Sequence, residues 1–111
     1  MIFSFVNANG EHACDLALCG KKDVTRRKNP IRVGAIRAIQ RGRGKFGEGF
    51  FIVESCVPHI EWEKSASVDD LVTDSVREGF TTYQELLETV NKIYGGFEGL
   101  YRIEMRALND D

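Results

Sequence analysis

Residues Leu18–Lys45 read LCGKKDVTRRKNPIRVGAIRAIQRGRGK and determine how the rest of the chain is interpreted. This stretch holds ten of the fifteen Lys and Arg residues and a single acid, Asp23. Residues 46–111 carry five basic and fourteen acidic side chains, so the formal net charge of −2 conceals a polarised chain. Arginine meets phosphate as a fork of donors and lysine as a point charge. We therefore expect the basic stretch to bind a polyanion or a nucleotide-like ligand.

The first part of this stretch predicts a helix followed by a strand. A short helix is predicted over residues 11–19, and Gly20 ends it. Residues 23–27 alternate as a strand, in which Thr25 and Arg27 point the same way. On a strand alone, Lys22 would point to the opposite face from Thr25, so a common site for the two requires a bend at residues 23–24.

The second part predicts a hairpin with a cationic tip. Pro30 breaks the pattern, and the β-branched residues after it favour a strand, with a helix over residues 34–41 as the alternative. Residues 42–49 are rich in glycine and predict a loop. Residues 50–57 form the clearest buried strand of the chain.

The remaining elements are predicted from apolar spacing and capping residues. Strands are expected at residues 2–6, 60–63 and 100–108, and helices at 68–76, capped by Ser67, and at 82–94, capped by Thr81 or Thr82. The order strand, helix, three or four strands, two helices, strand indicates an α+β fold. We expect one domain over residues 1–111, a small mixed β-barrel of five or six strands flanked by two or three helices.

Composition limits the class of protein. A chain of 111 residues with 42% hydrophobic content can close its own core. Three cysteines with irregular spacing favour a reducing cytosol over a disulfide framework. No signal peptide or membrane-spanning run is visible. We expect a cytoplasmic protein without membrane contact, a monomer or a weak dimer.

Two motifs resemble a cofactor site and a metal site, but the sequence around them argues against both. Gly42, Gly44 and Gly47 match a dinucleotide fingerprint, but a strand follows them where a helix is required. Cys14 and Cys19 lie about 140° apart around the predicted helix, which is unfavourable for shared chelation of zinc. The sequence therefore predicts neither a cofactor nor a metal.

Five short motifs are spread along nearly the whole chain: Gly20-Lys21-Lys22-Asp23-Val24-Thr25-Arg26-Arg27, Val33-Gly34, Phe51-Ile52-Val53-Glu54-Ser55, Glu78-Gly79-Phe80 with Gln84-Glu85-Leu86, and Tyr101-Arg102-Ile103-Glu104. Together they resemble the ASCH domain, a PUA-like β-barrel. The resemblance implies a cleft between barrel and helices that holds RNA or a modified nucleoside. Asp23 and Arg26 depart from the family pattern, which has Thr and an apolar residue at these positions.

The resemblance also implies an activity. Small bacterial members, which share a run like Asn91-Lys92-Ile93-Tyr94-Gly95, include amidohydrolases that deacetylate N4-acetylcytidine. Their catalytic Lys, Thr and Glu fall on Lys22, Thr25 and Glu78. The basic residues expected to hold the nucleoside or RNA are Lys21, Arg26, Arg27, Arg37, Arg41, Arg43 and Lys45.

Amide hydrolysis assigns a role to each of these side chains. Thr25 would be the nucleophile, Lys22 its proton acceptor and Glu78 the proton donor to the leaving nitrogen. Crowding by neighbouring cations would lower the pKa of Lys22, whereas pairing with Asp23 would keep it charged. Arg27 would stabilise the oxyanion or orient a phosphate.

Two other functions compete with the amidohydrolase. The first is a non-enzymatic RNA-binding or regulatory module, in which Thr25 has no chemical role. The second is a ribonuclease. Without the family motifs, Thr25 would be interpreted as an ordinary strand residue with no chemical role. Lys22 would be interpreted as a solvent-exposed lysine at the end of a helix.

Overall fold

Eight helices and strands follow one another in residues 1–108, the part of the chain that the computed structural model describes. In chain order they are α1 (Ala13–Leu18), β1 (Val24–Arg27), β2 (Ile36–Gln40), β3 (Gly47–Pro58), α2 (His59–Glu63), α3 (Val68–Arg77), α4 (Tyr83–Tyr94) and β4 (Tyr101–Leu108). The predicted α+β class is confirmed. These residues contain four strands, fewer than the five or six expected, and four helices, more than the two or three expected.

The strands form one antiparallel sheet in the order β1-β4-β3-β2, which curls into a half-barrel. The N-terminal segment continues the sheet beyond β2, where Ile2 bridges Gln40. At the opposite edge, Arg27 Nη2 on β1 donates to the Ile2 carbonyl at 2.8 Å. Within residues 1–108, side chains of β1 rather than backbone hydrogen bonds join this strand to the N-terminal segment. This seam is where the candidate site lies.

Two apolar clusters fill the interior. The larger lies inside the curl of the sheet and includes Phe3, Ile39, Phe51, Val53 and Ile103. The smaller lies under α4 and consists of Phe80, Leu86, Val90 and Leu100. Phe5 packs against both clusters and stacks on Phe80 with ring centroids 4.4 Å apart. The N-terminal segment is therefore wedged between the sheet and α4.

The predicted helix caps are confirmed. Ser67 caps α3 in a capping box, since its hydroxyl accepts from the Asp70 N–H while the Asp70 carboxylate accepts from the Ser67 N–H. Thr82, one of the two candidates, caps α4, and Gly95 ends that helix in the left-handed region. The longest helix, α4, has 12 residues, and no helix in residues 1–108 has the length and apolar character to span a bilayer.

The hairpin is also confirmed, with residues 41–46 joining β2 to β3. Two strand predictions are wrong. Residues 2–6 make only isolated bridges, Ile2 to Gln40 and Val6 to His12, because the segment leaves the edge of β2 to reach α1. Residues 60–63 belong to α2, which begins directly after Pro58. Four residues are too few for periodicity to separate a strand from a helical turn.

Candidate active site

Lys22 lies in the bend between α1 and β1. Gly20 takes a φ of +83°, which glycine adopts at little cost. The Lys22 N–H then donates to the Leu16 carbonyl, and the Asp23 N–H to the Arg77 carbonyl. Lys22 therefore precedes β1 and does not follow its alternation. This is the bend that a site shared with Thr25 requires.

The Lys22 side chain is buried, with 2% of its surface exposed. Its Nζ donates to the carbonyls of Val24, at 2.9 Å, and Glu78, at 2.6 Å. The rings of Phe3 and Phe5 flank it, with centroids 5.6 and 5.3 Å from Nζ. Within residues 1–108 it has no ion pair or hydrogen bond to a carboxylate. The amine is thus bonded to neutral acceptors in an apolar surrounding.

This surrounding changes the protonation of Lys22. Burial lowers its pKa to about 7; the charge of Glu78 opposes the shift, and the charges of Arg27 and Arg26 add to it. Neighbouring cations therefore contribute as expected, but loss of hydration is the main cause. The alternative, an ion pair between Lys22 and Asp23, is not formed, because Asp23 pairs with Arg77 at 3.0 Å. Near neutral pH, the uncharged amine is well populated.

Thr25 lies on β1, opposite Ile103 of β4, and is 1% exposed. Its Oγ1 is buried and has no hydrogen-bond partner among the described residues. Leaving a buried hydroxyl unbonded costs about 1–3 kcal/mol. A residue that only filled space at this position would be better as valine, so the hydroxyl calls for another explanation.

Lys22, Thr25 and Glu78 line the same cavity, whose other wall is α4. The residues of α4 that close it are Thr89, Val90, Ile93 and Tyr94. Its volume is about 40 Å³, compared with the roughly 10–15 Å³ that a cavity needs to hold one water. The cavity can take a small group such as an acetyl but not a whole nucleoside.

The carboxylate of Glu78 is held by Arg26. Arg26 Nη1 lies 2.7 Å from Glu78 Oε1, its Nη2 lies 2.6 Å from Asp74 Oδ2, and its Nε donates to His59 Nδ1 at 3.1 Å. Arg26 was expected to bind ligand, but it is 2% exposed and all three of its nitrogens are engaged. It positions Glu78 instead.

Three further residues of this network, Asp74, Arg102 and His59, were not assigned to the site from the sequence, although Arg102 belongs to one of the family motifs. Arg102 pairs with Arg26 across β4 and β1, and its Nη2 lies 2.6 Å from Asp74 Oδ1. His59 accepts from Arg26 at Nδ1, so its proton is on Nε2, which donates to Glu63. Burial and the charge of Arg26 lower the pKa of His59. The one available signal was the i, i+4 spacing that places Asp74 and Glu78 on the same face of α3.

The other predicted basic residues do not form one surface. Arg41 is compensated by Asp15 and Glu48, the latter at 3.1 Å. Lys21 is exposed and lines a separate polar pocket beside Gly79. Arg43 and Lys45 are exposed on the loop between β2 and β3. Arg27 and Arg37 line a cleft next to the Lys22 cavity.

The titratable residues do not assemble a metal site. In residues 1–108, no group of three or more His, Cys, Asp or Glu side chains is placed to hold a metal ion. Cys14, Cys19 and Cys56 are free thiols. The chemistry available at the cavity is thus that of an amine, a hydroxyl and a carboxylate.

The resemblance to the ASCH domain rests on the sequence motifs. No protein-family model matches this chain, and no curated protein or solved structure matches it either. The arrangement of Lys22, Thr25 and Glu78 is therefore the main physical evidence about function.

Proposed function

We propose that this chain is an ASCH-type, PUA-like domain that hydrolyses the amide of N4-acetylcytidine or a closely related N4-acylated cytidine. One observation carries the proposal: a buried amine with a pKa of about 7 and a buried hydroxyl without a partner line the same cavity. The curled sheet and the N-terminal segment beside β2 support a barrel-like fold closed at the seam by side chains.

Lys22 acts as the base. As a neutral amine it has two N–H groups, which the carbonyls of Val24 and Glu78 accept, so its lone pair remains available. It takes the proton of Thr25 as Oγ1 attacks the acyl carbon of the substrate. Arg27 lines the cavity, and within residues 1–108 only two of its N–H groups go to carbonyls, so it can donate to the developing oxyanion.

The leaving nitrogen needs a proton, and Lys22 is its donor. Glu78 forms an ion pair with Arg26 through its carboxylate, and a carboxylate has no proton to give. The ammonium of Lys22 carries the proton taken from Thr25 and passes it to N4 as the C–N bond breaks. The charge of Glu78 stabilises that ammonium in between.

Water completes the cycle. It attacks the acyl ester on Thr25, Lys22 takes a proton from it, and the Thr25 oxygen leaves and is reprotonated. The products are cytidine and acetate. The small cavity takes only the acyl group, so the nucleoside stays in the adjoining cleft shared with Arg27 and Tyr94.

Hydrolysis of N4-acetylcytidine by wild type and by Lys22→Met tests the proposal. Wild type should release cytidine and acetate in equal amounts, and Lys22→Met should lower kcat by about a thousandfold or more. Lys64→Met, which alters an exposed lysine paired with Glu61, is the matched control and should retain activity. No release by wild type at stoichiometric enzyme, or full activity of Lys22→Met, would refute the proposal.

A binding module without catalysis is the second candidate, and the hairpin loop favours it. Phe46 is 94% exposed between the cations of this loop and β3, and Phe50 is 54% exposed. Exposed aromatic rings beside Arg43 and Lys45 suit stacking on single-stranded RNA. In that case RNA binding should fall steeply with salt and depend on Phe46, while Thr25→Val leaves it unchanged.

A further inference from the structure

A larger cleft adjoins the Lys22 cavity. It has a volume of about 440 Å³, within the range of small-molecule sites. Arg27 and Tyr94 line both spaces, and Lys28, Asn29, Ile31 and Arg37 form more of the cleft wall. The two spaces therefore adjoin, with room for a nucleotide in the larger and for an acyl group in the smaller.

The basic side chains of this cleft have no carboxylate partner among the described residues. Arg27, Lys28 and Arg37 have no ion pair within residues 1–108, and no Asp or Glu of that range lines the cleft. Arg37 donates from one Nη1 to the Ile36 carbonyl, and its other donors have no partner in the part of the chain that the structure describes. Arg41, four residues further along the chain, is by contrast bound to two carboxylates. The like charges of these three side chains around one cleft repel each other unless an anion joins them.

The geometry also offers an aromatic surface for the nucleoside. Tyr94 lies at the C-terminal end of α4, with Lys28 Nζ 5.9 Å from its ring centroid. A ring with a cation over it can stack on a base or ribose while the cation meets the phosphate. Arg37 reaches the same cleft from β2, on the other side.

We propose that the cleft is a phosphate subsite, in which Arg37 and Lys28 bind the phosphate on the ribose of an N4-acylated cytidine nucleotide. This inference rests on the proposed function for the identity of the base. The phosphate is that of a free mononucleotide or that of an RNA chain, which share the same chemistry. Arg27 stays free for the reaction.

Equilibrium binding tests the subsite without any turnover. Cytidine 5′-monophosphate should bind wild type with a Kd at least about tenfold lower than that of cytidine, by titration calorimetry at low salt. Arg37→Ala and Lys28→Ala should each reduce that ratio severalfold. Lys64→Ala, which removes an exposed cation outside the cleft, should leave the ratio intact. Equal Kd values for the two ligands, or an equal loss in Lys64→Ala, would overturn the subsite.

Turnover distinguishes the source of the phosphate. The substrates are N4-acetylcytidine, its 5′-monophosphate and a short RNA that contains the acetylated base. A higher kcat/KM for the mononucleotide than for the nucleoside supports a free nucleotide, and the highest value for the RNA supports a polymer. If no substrate is hydrolysed while the monophosphate still binds more tightly, the amidohydrolase proposal fails and the subsite stands.

Discussion

Two buried polar regions lie side by side in this protein and differ in how their charges are satisfied. In the first, Arg26 and Arg102 meet Asp74 at 2.6 Å each, and Arg26 also meets Glu78. In the second, Lys22 is bonded only to carbonyls, and the Thr25 hydroxyl is bonded to nothing in the described chain. The regions touch through Glu78, whose carboxylate belongs to the first and whose carbonyl belongs to the second.

The difference separates structural from chemical roles. Burial disfavours the charge of Asp74, but hydrogen bonds from Arg102 and the charge of Arg26 outweigh it and hold the pKa below its usual value. This cluster ties α3 to β1 and β4 and stays charged. Lys22 has no ion pair among the described residues, so burial lowers its pKa to about 7 and it can exchange a proton. An unpaired buried group beside a paired cluster is thus the feature that marks the site.

The sharpest way to break this contrast is to remove the hydroxyl of Thr25. Thr25→Val should abolish hydrolysis of N4-acetylcytidine, with a loss of at least about a thousandfold, because the nucleophile is gone. The same variant should be more stable by about 1 kcal/mol, since an unbonded buried hydroxyl is replaced by a methyl group. Activity assays and urea denaturation measure the two effects.

Thr25→Ser is the matched control, because it keeps a hydroxyl at the same position. It should retain measurable activity and should not gain stability. A Thr25→Val protein that is destabilised, with its activity intact, would assign Thr25 to packing rather than to chemistry.

The paired cluster should respond in the opposite way. Asp74→Ala leaves Arg26 and Arg102 buried with fewer partners, which should lower the free energy of unfolding by about 3–5 kcal/mol. Asp69→Ala removes an exposed acid from the first turn of the same helix and should cost only about 0.5 kcal/mol. Urea denaturation compares the two. Equal costs would mean that the cluster does not hold α3 to the sheet.

The smallest effect is the pH dependence that Lys22 confers on stability. Its pKa is about 7 in the folded chain and near 10.5 when unfolded, so between these values the unfolded state binds more protons. The free energy of unfolding of wild type, relative to Lys22→Met, should therefore rise with pH above 7 by up to about 1.4 kcal/mol per pH unit.

Denaturation at pH 6, 7, 8 and 9 measures this slope. Below pH 7 the difference should level off, because Lys22 is then protonated in both states. Lys64→Met removes an exposed lysine and should show no such slope against wild type. A flat difference for Lys22→Met from pH 6 to 9 would contradict the shifted pKa.

Local signals explain how much of the fold was predictable. The alternation of β4, the apolar run of β3 and the Ser67 and Thr82 caps each depend on neighbours in sequence, and all are confirmed. The strand prediction for residues 2–6 was wrong because the path of this segment depends on contacts with β2 and α1 rather than on its own alternation. The strand prediction for residues 60–63 was wrong because four residues are too few to show a strand or a helix period.

The site was less predictable than the fold, because its geometry depends on contacts between residues that are far apart in sequence. Lys22, Thr25 and Glu78 were named through the family motifs, and composition gave no sign that a lysine in a basic run would be buried. The pairing of Arg26 with Arg102 depends on strand register, which neither residue encodes alone. Asp74 is recognisable only once α3 is placed over that pair.

The most direct test of this account is the titration of Lys22 itself. NMR of protein labelled with ¹³C at the lysine ε-carbons follows each amine through its chemical shift, and Lys22→Met identifies the signal by its loss. The account predicts a midpoint near pH 7 for Lys22, far below that of the other lysines. A midpoint above pH 10 would show a charged, ordinary lysine, and the amine could not be the base that activates Thr25.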